Sequence, residues 1–222
     1  MYATRVCAAA AALVTIFLIP TVIAVDDLCL TPEQPAVGQH GTRVTIEGNN
    51  LLGAAGGVEI TQVTLAGVDA EVIIGNSSTQ LVVAARDGEG SGDIVIVANS
   101  GATAVRTDAW VYLTRGAITG ISPTVGQLNT RVTITGTNLL GGGTNVATIT
   151  LAEIEATLVS ASATKIIVDA AAANTTDGGI VIISDTGAVV EVASGWSYGE
   201  QSVITDVTPG IGQLNTRVTI TG

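Results

Sequence analysis

The stretch GQLNTRVTITG occurs twice, letter for letter, at residues 126–136 and 212–222, and a looser copy, GQHGTRVTIEG, lies at 38–48. No other feature restricts the fold so strongly: the chain is an array of one unit. Within the middle copy Val132 and Ile134 alternate with Arg131, Thr133 and Thr135. Period-two alternation of β-branched residues reads as a strand buried on one face. Pro123 and Gly126 precede it and Gly136 ends it, as strand punctuation does. Asn138, Leu139, Leu140 and Gly141 then read as a turn whose leucines tuck under the sheet, and Asn50, Leu51, Leu52 and Gly53 repeat it.

The match runs through the whole unit. Thr64, Leu65 and Ala66 align with Thr150, Leu151 and Ala152; Ile94 to Val97 align with Ile180 to Ile183; Trp110 and Tyr112 align with Trp196 and Tyr198. These offsets are all 86 residues, which is longer than the roughly 20–45 residues of a solenoid repeat and points to a tandem of small domains. Short strands are expected at 42–47, 60–66, 70–74, 79–84, 92–98 and 102–106 in the first repeat. In the second they are expected at 117–121, 130–135, 146–152, 156–160, 164–169, 178–184 and 188–193. Many short strands with turn signals about every ten residues predict an all-β chain of immunoglobulin-like β-sandwiches.

The expected organisation is a secretory signal peptide at 1–24, repeat 1 at 25–115, repeat 2 at 116–200, and the first part of a third repeat at 201–222. Arg5 supplies the positive start of the leader, an apolar run follows, and Val22 and Ala24 are small residues before a cut. A retained membrane anchor is the rival reading, but the run is short and Pro20 interrupts it. The third unit offers strands at 203–207 and 216–221 with nothing in this sequence to cover them, and two strands cannot hide an apolar face. Either the array continues, or this unit completes itself on another molecule by head-to-tail contact or strand addition.

Composition narrows the function. The net charge is −11 with only eight Lys and Arg and no cluster of them, which argues against nucleic acid and anionic membrane surfaces as partners, since phosphate binding needs clustered cations. Acidity of this kind keeps an extracellular surface soluble. The single histidine, His40, takes the loop position held by Leu128 and Leu214 in the other copies, so no catalytic set can recur and no catalytic residue is assigned. No cofactor is expected. Gly141, Gly142 and Gly143 lead into a strand, not a helix, and read as a turn rather than a phosphate loop.

Four features remain open to chemistry. Asp87, Glu89 and Asp93 share one glycine-rich loop and form a calcium candidate, although repeat 2 has Asn174, Thr175, Thr176 and Asp177 there and a solvated acidic hairpin is the simpler reading. Asn76 and Asn174 begin sequons for N-glycosylation between expected strands. Cys29 is the one cysteine left after leader removal, so it is either an intermolecular disulfide partner or a small buried residue. Trp110 and Trp196, each followed by a tyrosine, could stack on sugar; in an otherwise aromatic-poor chain, closing the sandwich is the favoured role.

The lead-in Ile118, Ile121 and Pro123, then a glycine, then Thr130-x-Val132-x-Ile134-x-Gly136, then Asn138, Leu139, Leu140 and Gly141, resembles the IPT/TIG domain, and Ile204, Val207 and Pro209 begin it again. The first repeat departs, with Leu30, Glu33 and Pro35 in the lead-in. The resemblance implies an immunoglobulin-like sandwich of the kind found in plexins, related receptors and large surface proteins. It implies no activity: other members accompany transcription factors or starch-active enzymes, and fold alone does not choose among them. The near absence of linkers, together with the leader, makes the leading expectation a non-catalytic, secreted or surface structural protein: a rod, filament component or adhesive stalk. The alternative is an extracellular module that binds a glycan or protein.

Overall fold

The computed structural model describes residues 37–53, 57–74 and 77–222. Among these residues the chain forms strands and no helix. Repeat 1 contains β1 (Val37–Gly38), β2 (Arg43–Glu47), β3 (Ile60–Leu65), β4 (Val68–Asp69), β5 (Glu71–Ile74), β6 (Gln80–Ala84), β7 (Ser91–Ala98) and β8 (Thr103–Tyr112). They make a five-stranded sheet, β1-β8-β7-β3-β4, and a three-stranded sheet, β2-β6-β5.

Repeat 2 contains β9 (Ala117–Ser122), β10 (Val125–Gly126), β11 (Arg131–Thr137), β12 (Val146–Leu151), β13 (Ile154–Glu155), β14 (Thr157–Ala161), β15 (Lys165–Asp169), β16 (Thr176–Ser184) and β17 (Val189–Tyr198). Its sheets run β10-β17-β16-β12-β13 and β14-β15-β11-β9. The third unit contributes a two-stranded ribbon, β18 (Asp206–Thr208) and β19 (Thr219–Thr221).

Alternation decides which faces meet. Val44 and Ile46 of β2, Leu81 and Val83 of β6, Val63 and Leu65 of β3, and Ile94 and Ile96 of β7 point inward and form one core. Val132 and Ile134, Ile166 and Val168, Ile149 and Leu151, and Ile180 and Ile182 form the second. The two sheets of each repeat bury these side chains between them, as aligned sandwiches do.

Three departures from the sequence reading have clear causes. The last strand of each repeat does not stop near Arg106 or Ala193 but runs on through Trp110 to Tyr112 and through Trp196 to Tyr198. A register shift opposite it, between Gly92 and Ile94 and between Gly178 and Ile180, lets the ladder continue. Four two-residue strands had no alternation to reveal them. Of these, β1 pairs parallel to β8 and β10 pairs parallel to β17, so each repeat's entry is tied to its exit. In the third unit the paired segments are shorter than the expected 203–207 and 216–221.

Candidate functional site

The repeated stretch builds the same tight turn three times. The Gln39 N–H donates to Thr42 Oγ1 at 3.0 Å, Gln127 N–H to Thr130 Oγ1 at 2.9 Å, and Gln213 N–H to Thr216 Oγ1 at 2.8 Å. Each threonine N–H closes back on the glutamine carbonyl. The residue between takes a left-handed backbone, with φ of +82° at Gly41, 65° at Asn129 and 70° at Asn215. Glycine and asparagine are the residue types that accept that conformation at least cost. The preceding glycine is required because a Cβ at Gly38 or Gly126 would strike the threonine side chain.

The turn of repeat 1 is gripped by repeat 2. Gln39 is only 1% exposed, and both ends of its amide cross the joint. Its Oε1 accepts the Gly116 N–H at 2.7 Å, and its Nε2 donates to the Val189 carbonyl at 3.4 Å. Two backbone bonds flank it: Val189 N–H to His40 O and Arg43 N–H to Thr186 O, both 2.9 Å. The β16–β17 turn and the repeat 1 turn approach so closely that a Cβ on Gly41 would lie 2.6 Å from Val189 Cγ2 and 2.7 Å from Gly187 O. The linking segment is held from both sides, by Leu113 N–H to Gly38 O at 2.7 Å and Asn138 Nδ2 to Thr114 O at 3.1 Å. Arg115 adds an exposed ion pair to Asp87 at 2.7 Å and reaches toward Glu191 at 3.7 Å. Pairs of that exposure contribute at most about 1 kcal/mol.

Half of this arrangement recurs one unit on. Gln127 Oε1 accepts the Ser202 N–H at 2.7 Å, and Gly199 N–H donates to Gly126 O at 2.8 Å. The Gln127 amide nitrogen turns to Ser202 Oγ at 3.0 Å. Sequence reasoning did not single out these glutamines. The available signal was a polar residue kept in all three copies at a loop position that builds no strand.

The residues expected to carry chemistry lie as follows. Asp87 is engaged by Arg115, and the Asp93 carboxylate accepts the Asp108 N–H at 2.9 Å, so the calcium candidate does not converge with Glu89. Among the described residues no three of His, Cys, Asp and Glu gather around a point. An open groove of about 780 Å³ is lined by residues 87–90 and 112–115. His40 Nδ1 is buried 3.8 Å from Asp87 Oδ1 and makes no hydrogen bond within the described residues. Asn174 is exposed in the loop between β15 and β16. Asn76, Cys29 and the leader lie outside the described residues.

Trp110 and Trp196 are fully buried, and each meets its tyrosine edge-on, with ring centroids 5.6 Å and 5.5 Å apart. Tyr112 and Tyr198 are buried with them, so every aromatic ring among the described residues lies in a core. Burial raises both phenol pKa values, and at Tyr112 the Asp87 carboxylate adds to it while the neighbouring indole opposes it. This is not a sugar-stacking surface. No helix among the described residues is long and apolar enough to cross a membrane.

A sequence model of the IPT/TIG domain matches residues 28–110 and again 117–201. No curated protein sequence matches the chain. Among solved structures, the full extracellular region of plexin A4 aligns over 85% of this chain at 23% identity with a TM-score of 0.50. The chain spans 17% of that plexin chain. SGBP-B from a complex xyloglucan utilization locus in Bacteroides uniformis aligns over 71% of this chain and 46% of its own at 17% identity, with a TM-score of 0.32. The plexin likeness is one of fold; the second is too loose to bear on function.

Proposed function

Because the chain belongs to the IPT/TIG domain family, we propose that it works as a stiff run of immunoglobulin-like modules outside the cell, a spacer or stalk rather than a catalyst. The observation that carries this reading is the glutamine bridge, made at 2.7 Å at both joints. Gln39 is buried and spends both ends of its amide on the neighbouring repeat, which favours one orientation because leaving those groups unpaired is costly; Gln127 makes its bridge from a half-buried position. Secretion through the leader at 1–24 belongs to the same proposal, as do a glycan on exposed Asn174 and self-association through residues 201–222.

Small-angle scattering on the secreted chain tests it. An elongated particle whose pair-distance distribution stays constant between low and high salt is the expected result. Two sandwiches that reorient freely would refute the stalk.

A second reading, an extracellular module that binds a protein, draws on one observation. The edge strands β5 and β14 expose Val72 and Ile73, and Leu158 and Val159, at corresponding positions of the two repeats. Register shifts within both edges bend them, a device that discourages strand pairing, so this reading stands second.

A further inference from the structure

We propose that the joint between repeats 1 and 2 holds a proton-driven relay. When His40 is protonated it takes the Asp87 carboxylate, and Arg115 passes from Asp87 of repeat 1 to Glu191 of repeat 2. The inference rests on the stalk reading and gives its first joint a pH-sensitive setting.

Three distances define the relay. Arg115 Nη1 lies 2.7 Å from Asp87 Oδ1, and His40 Nδ1 lies 3.8 Å from that same oxygen. The other arm of Arg115, Nη2, stands 3.7 Å from Glu191 Oε1. Arg115 thus holds one carboxylate, on the β6–β7 loop, and has a second close by, on β17. His40 Nδ1 is buried and makes no hydrogen bond within the described residues. At 3.8 Å a neutral ring makes no hydrogen bond to Asp87. A protonated ring donates from both nitrogens, and a charge-assisted bond closes to about 2.7–2.9 Å. Two cations then address one oxygen, and of the two Arg115 has another carboxylate to turn to.

The proton comes from solvent, since the His40 side chain is 32% exposed. His40 is the only histidine of the chain, and imidazole is the side chain that ordinarily changes charge between pH 5 and 8. The other titratable or charged groups around it are Glu89 and Tyr112, which line the groove with Asp87 and Arg115, and Arg43, whose stem packs toward Gly187. Carboxylates, phenols and guanidinium groups ordinarily keep one charge state across that window.

The second joint lacks His40, Asp87 and Arg115 together. Leu128 takes the place of His40, and Ala171, Ala172 and Ala173 open the loop that in repeat 1 begins with Arg86 and Asp87. Gln201 takes the place of Arg115, and its Nε2 donates to the Ala173 carbonyl at 3.2 Å. The glutamine bridge is nevertheless made at 2.7 Å at both joints. Building a joint therefore does not require these charges; they are an addition to one joint, and they come as a set.

Amide exchange at Gly116, the residue after Arg115, tests the relay on the whole chain, each variant being compared with the parent at the same pH. At pH 7.5 Asp87→Asn should speed that exchange about two- to five-fold, an exposed ion pair's worth, and Glu191→Gln should leave it unchanged. At pH 5.5 the two effects should change places. His40→Leu, which installs the residue of the other copies, should abolish the crossover, and His40→Gln should do the same with a polar side chain that takes no proton. Variant effects that are equal at both pH values, or a crossover that survives loss of the imidazole, would each overturn the proposal. A particle that is freely jointed in scattering at pH 7.5 removes the stalk and the relay with it; a stiff particle whose exchange ratios do not cross removes only the relay.

Discussion

The Gly116 N–H lies 2.7 Å from Gln39 Oε1, and the same atom of Gln127 lies 2.7 Å from the Ser202 N–H. One side chain, placed by a turn that the sequence copies three times, thus orients each module against the start of the next. At Gln39 the physics is that of a buried polar group, modest in favour when satisfied and expensive when its partner is removed, whereas Gln127 is half-buried and its partner Ser202 exposed.

Replacing Gln39 with Ala leaves the Gly116 N–H and the Val189 carbonyl without their partner. The expected loss is about 1–3 kcal/mol for a buried group left unpaired, concentrated at the joint. Urea unfolding followed by tryptophan fluorescence, together with scattering, reads it: the particle should become more flexible while each sandwich keeps its fold. An unchanged envelope would show that the bridge is not what aligns the modules.

Gly41→Asn installs the residue that repeat 2 uses at the same turn. Asparagine suits the left-handed backbone, but its Cβ meets Gly187 O and Val189. The joint should open at a cost of about 1–3 kcal/mol, the range for overpacking. Amide exchange at Arg43 and Val189, the two backbone donors across the joint, should accelerate, with core amides such as Ile46 unaffected. Equal exchange at all three positions would contradict the geometry.

Trp196→Ala should destabilise repeat 2 by about 3–5 kcal/mol, the usual loss on truncating a buried tryptophan. Trp110→Ala should do the same to repeat 1. Differential scanning calorimetry separates this from a surface role, in which truncation would leave both transitions in place.

Alkali should weaken both sandwiches. Tyr112 and Tyr198 have phenol pKa values raised above 10.0, chiefly by burial. The folded state therefore keeps its protons where the unfolded chain has released them. Stability is fully present below pH 10 and falls as pH rises past it. Tyr198→Phe should flatten that alkaline slope for repeat 2; a slope identical to that of the parent chain would discount the tyrosine.

Acid should act on repeat 2 before repeat 1. The Asp185 pKa is lowered, first by the Thr144 hydroxyl and then by backbone N–H groups including that of Asn145, and the Asp169 pKa is lowered first by its hydrogen bond to Arg131. Their contribution is present above the ordinary carboxylate value and is lost as pH falls through the lowered folded values. Repeat 1 carries Asn99 and Ala84 at these places, and Asn99 Oδ1 accepts the Val58 N–H at 3.1 Å without titrating. Both carboxylates are solvent-facing, so the effect is small. Exchange measured repeat by repeat from pH 5 to pH 2 should show repeat 2 loosening first, and simultaneous loosening would discount the two acids.

The sandwiches were legible because burial on one face writes itself into alternating Val and Ile, as at Val132 and Ile134. The tryptophans were legible because they and their partner tyrosines are the only large rings among the described residues, in cores otherwise built of small residues. The pairing of β1 with β8 was not, since a Val-Gly dipeptide has no period. The strand through Trp110 was cut short because a bulge breaks alternation without ending the ladder. The joint was hidden for another reason: Gln39, Gly116 and Val189 are far apart in the chain, and only folding brings them to one point. In the acidic loop, proximity in sequence does not bring the carboxylates to one point: Asp87 pairs with Arg115 and Asp93 accepts the Asp108 N–H.

The Gly41 and Gly187 contact has a consequence for any lengthening of this protein by gene duplication. A second copy of the middle unit inserted after itself would meet Asn129 where the first joint has bare backbone, and the incoming hairpin could not seat as closely. Units are therefore not exchangeable beads: the position next to the N-terminal module is keyed, and an array grown from the middle unit alone would have one close-fitting seam and a series of wider ones.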